Sequence, residues 1–164
     1  MRADTTPRTG PMIGHVHLKV ADLDRAIEFY RLLGFDLTQR YGAQAAFMGA
    51  DGYHHHIGLN TWHSAGAAPA PVGHTGLYHL AVLYPDRVSL AQALRRVVQA
   101  GVQLDGAADH GVSEALYFRD PDGNGVEIYV DRPRQDWPRD VAGQLKMGNA
   151  RLDVSALLAL ADTA

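Results

Sequence analysis

Nine histidines and no cysteine set the chemistry open to this 164-residue chain. Disulfides and thiolate metal sites are both excluded, so any metal must be held by nitrogen and oxygen donors. Three residues stand out as such donors: His15 in GHVHLKV, His79 in GLYHLAV and Glu127 in GVEIYV. Two imidazoles and one carboxylate on a common face form the facial triad suited to non-haem Fe(II), with positions left open for substrate and O₂; Mn(II) or Zn(II) would accept the same donors. Each residue also has an ordinary reading. A histidine on a strand is commonly a hydrogen-bonded core or surface residue, and a glutamate near a strand end is commonly solvated. A reason for these three to converge must come from the elements that carry them.

That reason is an internal repeat. In the first copy, HVHLKV alternates, with His15, His17 and Lys19 on one face and Val16, Leu18 and Val20 on the other, as in a half-buried strand. Asp22 offers an N-cap to a helix carrying Leu23, Ala26, Ile27, Tyr30 and Leu33, and Gly34 ends it. Three strands follow, around 35–40, 44–48 and 54–61. In the second copy, YHLAVL reads as a strand. Ser89 can cap a helix carrying Leu90, Ala93, Leu94, Val97 and Val98, and Gly101 closes it. Three more strands fit 102–104, 112–118 and 125–130. The spacing thus predicts an α+β fold of two tandem βαβββ modules, 13–62 and 76–131, joined by an Ala/Pro/Gly-rich linker over 63–75. A module of this size buries little of its own sheet; two related by a pseudo-twofold can curve into one open, eight-stranded, barrel-like sheet around a metal site. Duplication puts His15 and His79 at equivalent places, and Glu127 lies on the face opposite Val126 and Ile128. Residues 1–12 read as a disordered arm. Residues 132–164 form a Pro/Arg-rich tail with a short amphipathic helix near 154–161.

Composition bounds the partners. A formal charge of −3 and scattered basic residues give no footprint for nucleic acid. No apolar run approaches the ~20 residues that span a bilayer, and the N-terminus has no apolar core of a secretory signal. The expectation is a cytoplasmic protein with no membrane partner.

From 13 to 131 the chain resembles the vicinal oxygen chelate superfamily, which includes glyoxalase I, fosfomycin-modifying thiol transferases and extradiol dioxygenases. The resemblance is carried by GHVHLKVADLDRAIEFYRLLGF, GLYHLAV and YFRDPDGNGVEIY. It implies His15, His79 and Glu127 as metal ligands. Glyoxalase I carries a fourth ligand, a glutamate. Matching IGL to the segment that bears it puts Gly58 there, whereas aligning the two Asp-Gly turns puts His56 opposite Glu127 instead. In both registers His56 and Gly58 share a strand face, so His56 is expected to line the cavity. YHHHIGLNTW is similar to the corresponding strand of catechol 2,3-dioxygenase-type members, which implies His56 as the acid/base. In the same way Tyr117, ten residues before the glutamate, and His110 are implied as groups that hold the substrate oxygen. The resemblance therefore implies an Fe(II)-dependent extradiol ring-cleaving dioxygenase acting on a catechol-type aromatic diol with O₂, with a homodimer as the expected assembly. Mn(II), Zn(II) or Ni(II) would accompany the alternatives, a glyoxalase-like lyase/isomerase or a fosfomycin-type thiol transferase. A non-catalytic small-molecule-binding member would need no metal. Pocket selectivity is expected from His17, Phe47 and Trp62.

Overall fold

A computed structural model describes residues 10–162; the greater part of the expected N-terminal arm lies outside the described residues. The first module runs β1 (Val16–Lys19), α1 (Leu23–Leu32), β2 (Asp36–Tyr41), β3 (Ala45–Gly49) and β4 (Ile57–Asn60). The second runs β5 (Leu80–Tyr84), α2 (Arg87–Gln99), β6 (Leu104–Asp109), β7 (Ser113–Arg119) and β8 (Gly125–Asp131). Strand, helix and three strands recur as the repeat requires. The sheets are ordered β1-β4-β3-β2 and β5-β8-β7-β6, and the second gains a fifth strand, β9 (Ala150–Arg151), on its β6 side. In each sheet the opening strand pairs in parallel with the last strand of its module, and the other pairs are antiparallel. Even the irregularities match: one register shift falls between Leu37 and Gln39, another between Leu104 and Gly106.

Helix α1 begins where the Asp22 carboxylate accepts from the Arg25 N–H at 3.0 Å, and it buries Leu23, Ala26, Ile27, Phe29 and Tyr30. Helix α2 starts one turn before the expected cap. Asp86 caps it by accepting from the Ser89 N–H at 2.8 Å, so Ser89 lies inside the first turn. An ionised carboxylate at this end satisfies an otherwise free N–H and also meets the positive pole of the helix. The tail does more than end in a helix. Besides α3 (Val154–Ala159), which buries Leu157, it supplies β9.

The modules are joined through α1 and the Asp120–Asn124 turn. Tyr30 donates from its hydroxyl to Asp120 at 2.9 Å in a buried contact, and the Phe29 and Phe118 rings lie 6.1 Å apart. Asp120 also accepts from the N–H groups of Asp122 and Asn124, which shapes the turn. Asp122 in turn accepts from the Ala21 N–H at 3.0 Å and from Arg25 at 2.7 Å. Tyr84 donates to the Leu33 carbonyl at 2.6 Å, and Arg96 donates to that of Leu32 at 2.7 Å. The conspicuous DPDG motif is therefore a strut between modules. This seam leaves β1 and β5 as terminal strands of separate sheets, with no ladder between them among the described residues. No helix of the described residues is long and apolar enough to cross a membrane.

Candidate functional site

In the second module four of the expected residues form one connected chain. His79, just before β5, places its Nε2 3.0 Å from Glu127 Oε2. Tyr117 is paired directly with Glu127 across the β7–β8 ladder, and its hydroxyl lies 3.3 Å from Glu127 Oε1. His110 Nε2 is 2.7 Å from that same hydroxyl, while its Nδ1 donates to the Gly148 carbonyl at 2.8 Å. The strand ladder fixes the first pair, since directly opposed residues share a face. A close backbone approach fixes the histidine. A Cβ on Gly125 would sit 2.1 Å from the Tyr78 carbonyl oxygen and 3.0 Å from the His79 Cβ, so only glycine lets the entry of β5 lie over β8. A cleft of about 500 Å³ opens over His79 and Tyr117, walled in part by Tyr78, Asp105 and Arg119. Burial, and then the Glu127 carboxylate, push the Tyr117 phenol up to about 12, so it stays protonated at neutral pH.

This donor set fits a metal. The Glu127 side chain is only 12% exposed, and its Oε2 faces the His79 Nε2 at 3.0 Å. The His79 Nδ1 is buried without a hydrogen-bond partner, while its Nε2 faces the carboxylate. Nitrogen and oxygen donors meeting at one point suit a divalent transition metal.

The first module presents a different set. The His15 ring lies 4.6 Å from that of His55, which is 5.0 Å from Phe47 and linked Nδ1 to Nδ1 with His54 at 2.7 Å. Partial desolvation, followed by the neighbouring imidazoles with His54 foremost, holds His55 below the ordinary histidine range. His56 turns elsewhere. Its Nδ1 accepts from the Ala50 N–H at 3.3 Å, and its ring packs 4.7 Å from Tyr53 and 5.9 Å from Phe35. Face alternation places a side chain only inside a strand, and β4 begins after His56, at Ile57. Of the HH pair, His55 is the ring brought beside His15.

Strand register decides between the two alignments of the repeat. Val16 pairs with Ile57 and Leu80 with Val126, which makes Gly58 the counterpart of Glu127, and His17 that of Ala81. Phe47 likewise matches Tyr117. The imidazole of His17 fills the space above Gly58, where a Cβ would lie 2.8 Å from its Cγ. His17 also neighbours Trp62 at 5.7 Å and Phe47 at 6.2 Å. The first module thus has a ring where the second has a carboxylate.

Within a single chain these halves stay apart: among the described residues no group of three His, Asp or Glu is close enough to hold a metal. His79 and Glu127 are together, and His15 is with His55.

Comparison with known proteins adds to this geometry. A family model described as the glyoxalase/bleomycin resistance protein/dioxygenase superfamily matches residues 12–128. A catechol-2,3-dioxygenase of Bacillus subtilis (strain 168) is 42% identical over 89% of this chain and 50% of its own length. A biphenyl-2,3-diol 1,2-dioxygenase (number 3) of Rhodococcus globerulus is 29% identical over 74% of this chain and 64% of its own. The chain therefore spans about half to under two thirds of the length of these curated relatives. In fold it is similar to a glyoxalase/dioxygenase from Nostoc punctiforme, with a TM-score of 0.62 at 19% identity over 81% of this chain and 99% of the other.

Proposed function

The chain belongs to the glyoxalase/bleomycin resistance protein/dioxygenase superfamily, and from that premise we propose that it is an Fe(II)-dependent extradiol dioxygenase that opens the ring of a catechol-type diol with O₂. The observation that carries the reading is the contact series His79–Glu127–Tyr117–His110, two of whose members, His79 and Tyr117, line a cleft. The likeness to two ring-diol dioxygenases supports the substrate class.

His79 and Glu127 of one copy and His15 of a second copy are the proposed ligands. Three features support a homodimer of this kind. The donors of a single chain stay in separate groups. Strands β1 and β5, which His15 and His79 precede, each end a sheet with one side unpaired among the described residues. Such edges are templates for another chain. The approaches to both are apolar and open: Ile13 is 89% exposed, Tyr78 84% and Leu83 50%. Laying β1 of one copy along β5 of the other covers these residues and brings His15 towards His79.

When bound, Fe(II) would supply the Lewis-acid and redox centre at which a vicinal diol and O₂ meet. The rest falls to side chains. Tyr117, protonated at neutral pH, holds the substrate oxygen by hydrogen bonding, with His110 behind it. His55, beside His15 and depressed in basicity, accepts a proton from a diol hydroxyl and returns it to the product; this is the role implied for His56, assigned to the ring nearest the metal donor. Such acid–base help contributes about 10²–10⁴-fold. The glyoxalase-like reading is disfavoured because Gly58, overlain by His17, has no fourth donor to give.

The test is anaerobic reconstitution with Fe(II), then aerobic assay of a catechol panel for the yellow ring-opened semialdehyde. Stoichiometric iron with ring cleavage is expected. Iron uptake with no cleavage of any catechol would overturn the dioxygenase assignment.

A further inference from the structure

The segment after the second module has no counterpart after the first, and at Gly148 it touches the site. Gly148 grips His110 twice: its N–H donates to the His110 carbonyl at 2.9 Å, and its carbonyl accepts from the imidazole Nδ1 at 2.8 Å. Gly148 is itself held by a folded strap. The Lys146 N–H donates to the Pro138 carbonyl at 2.9 Å, and Asp140 accepts from the N–H groups of Ala142 and Gln144 at 2.9 Å. Beyond Gly148, β9 adds to β6 through Ala108 with Arg151 and Asp109 with Ala150. At the other end Pro138 packs on the turn after His110, where a Cβ on Gly111 would lie 2.9 Å from its Cγ.

We infer that this strap, residues 138–151, is a positioning part of the site, with Gly148 fixing the tautomer of His110. The inference rests on the function proposed above for Tyr117 and His110. A carbonyl only accepts, so His110 must carry its ring proton on Nδ1. In the neutral ring Nε2 is then a bare acceptor facing the Tyr117 hydroxyl. That phenol has one proton and two acceptors in reach, Nε2 at 2.7 Å and Glu127 Oε1 at 3.3 Å. The bare Nε2 is the nearer of the two, so the strap draws the phenol proton towards His110 in competition with the Glu127 carboxylate, to which the hydroxyl otherwise donates. The opposite tautomer would present Nε2–H to Tyr117 and reverse the polarity of the contact.

The test is a long-range ¹H–¹⁵N correlation on the imidazoles of the full-length, metal-free protein, with His110→Gln identifying the His110 signals. The expected result is the Nδ1–H tautomer in the wild type and a shift to Nε2–H, the form free histidine prefers, in Gly148→Pro, which lacks the gripping N–H. Gly148→Ala keeps both backbone groups, meets no atom within 4 Å, and should keep the tautomer. In iron-loaded protein Gly148→Pro should lower kcat about tenfold, a part of what an acid–base pair contributes, with iron retained. A wild-type His110 in the Nε2–H form overturns the inference with no variant needed. So does an unchanged tautomer in Gly148→Pro. Absence of ring cleavage with the expected tautomer would overturn the functional reading alone.

Discussion

The two modules share strand order, a register shift at the matching place and a histidine at the entry to the first strand, yet their working faces are complementary rather than alike. At the position where the second module pairs Ala81 with Glu127, the first pairs His17 with Gly58. A small residue beside a carboxylate leaves room for that carboxylate to reach an ion; a large ring beside a glycine closes the same space. Across the next strand, Tyr117 with its hydroxyl hydrogen-bonded to its neighbours corresponds to Phe47, which has no hydroxyl. Duplication supplied the frame, and divergence at two cross-strand pairs left a carboxylate and a phenol in one half where the other has a glycine under an imidazole and a phenylalanine. Two identical halves would give a symmetric site. On the proposed reading these two would give a site with a donor side and a proton-handling side.

The comparison can be broken first on the donor side. Glu127→Ala or His79→Ala should abolish stoichiometric iron uptake by elemental analysis and take ring cleavage to background, because a three-donor face does not survive the loss of one. Next comes the imidazole side. His55→Ala should lower kcat by about 10²–10³-fold with iron retained, within the span of general acid–base catalysis. His56→Ala should act mainly on stability, since its ring packs on Tyr53 and Phe35; equal kinetic losses would reassign the role. The pair that separates the modules is tested by Gly58→Ala, whose Cβ meets His17 at 2.8 Å. Overpacking of this kind costs about 1–3 kcal/mol, read by denaturant unfolding, and His17→Ala in the same chain should recover most of it. The smallest effect is expected at the seam. Tyr30→Phe removes one buried hydrogen bond to Asp120, worth about 1 kcal/mol, and leaves metal binding intact.

Much of this was legible beforehand, and for physical reasons. Period-2 alternation in HVHLKV and helical spacing from Leu23 to Leu33 follow from burial on one face, so the order of elements could be read directly. The match of Gly58 with Glu127 was one of two readable registers, and ladder pairing selects it. Other features escaped for equally physical reasons. Asp86 and Ser89 both make good caps, and only the helix start chooses between them. The two-residue β9 is too short to show alternation. His55 and His56 could not be separated by parity because both precede the strand. Which edges of the two sheets face each other is set by the Tyr30–Asp120 and Arg25–Asp122 contacts, which join residues about a hundred positions apart and leave no trace in local pattern.

The most direct test is complementation between two defective copies. His15→Ala and Glu127→Ala chains, each purified without activity, are unfolded, mixed in equal amounts, refolded and loaded with Fe(II). If ligands come from two chains, mixed dimers regain one intact site and the sample recovers about a quarter of wild-type ring cleavage, as random pairing in a twofold dimer requires. If both residues serve a site within a single chain, the mixture stays as inactive as its parts, and the shared site is contradicted.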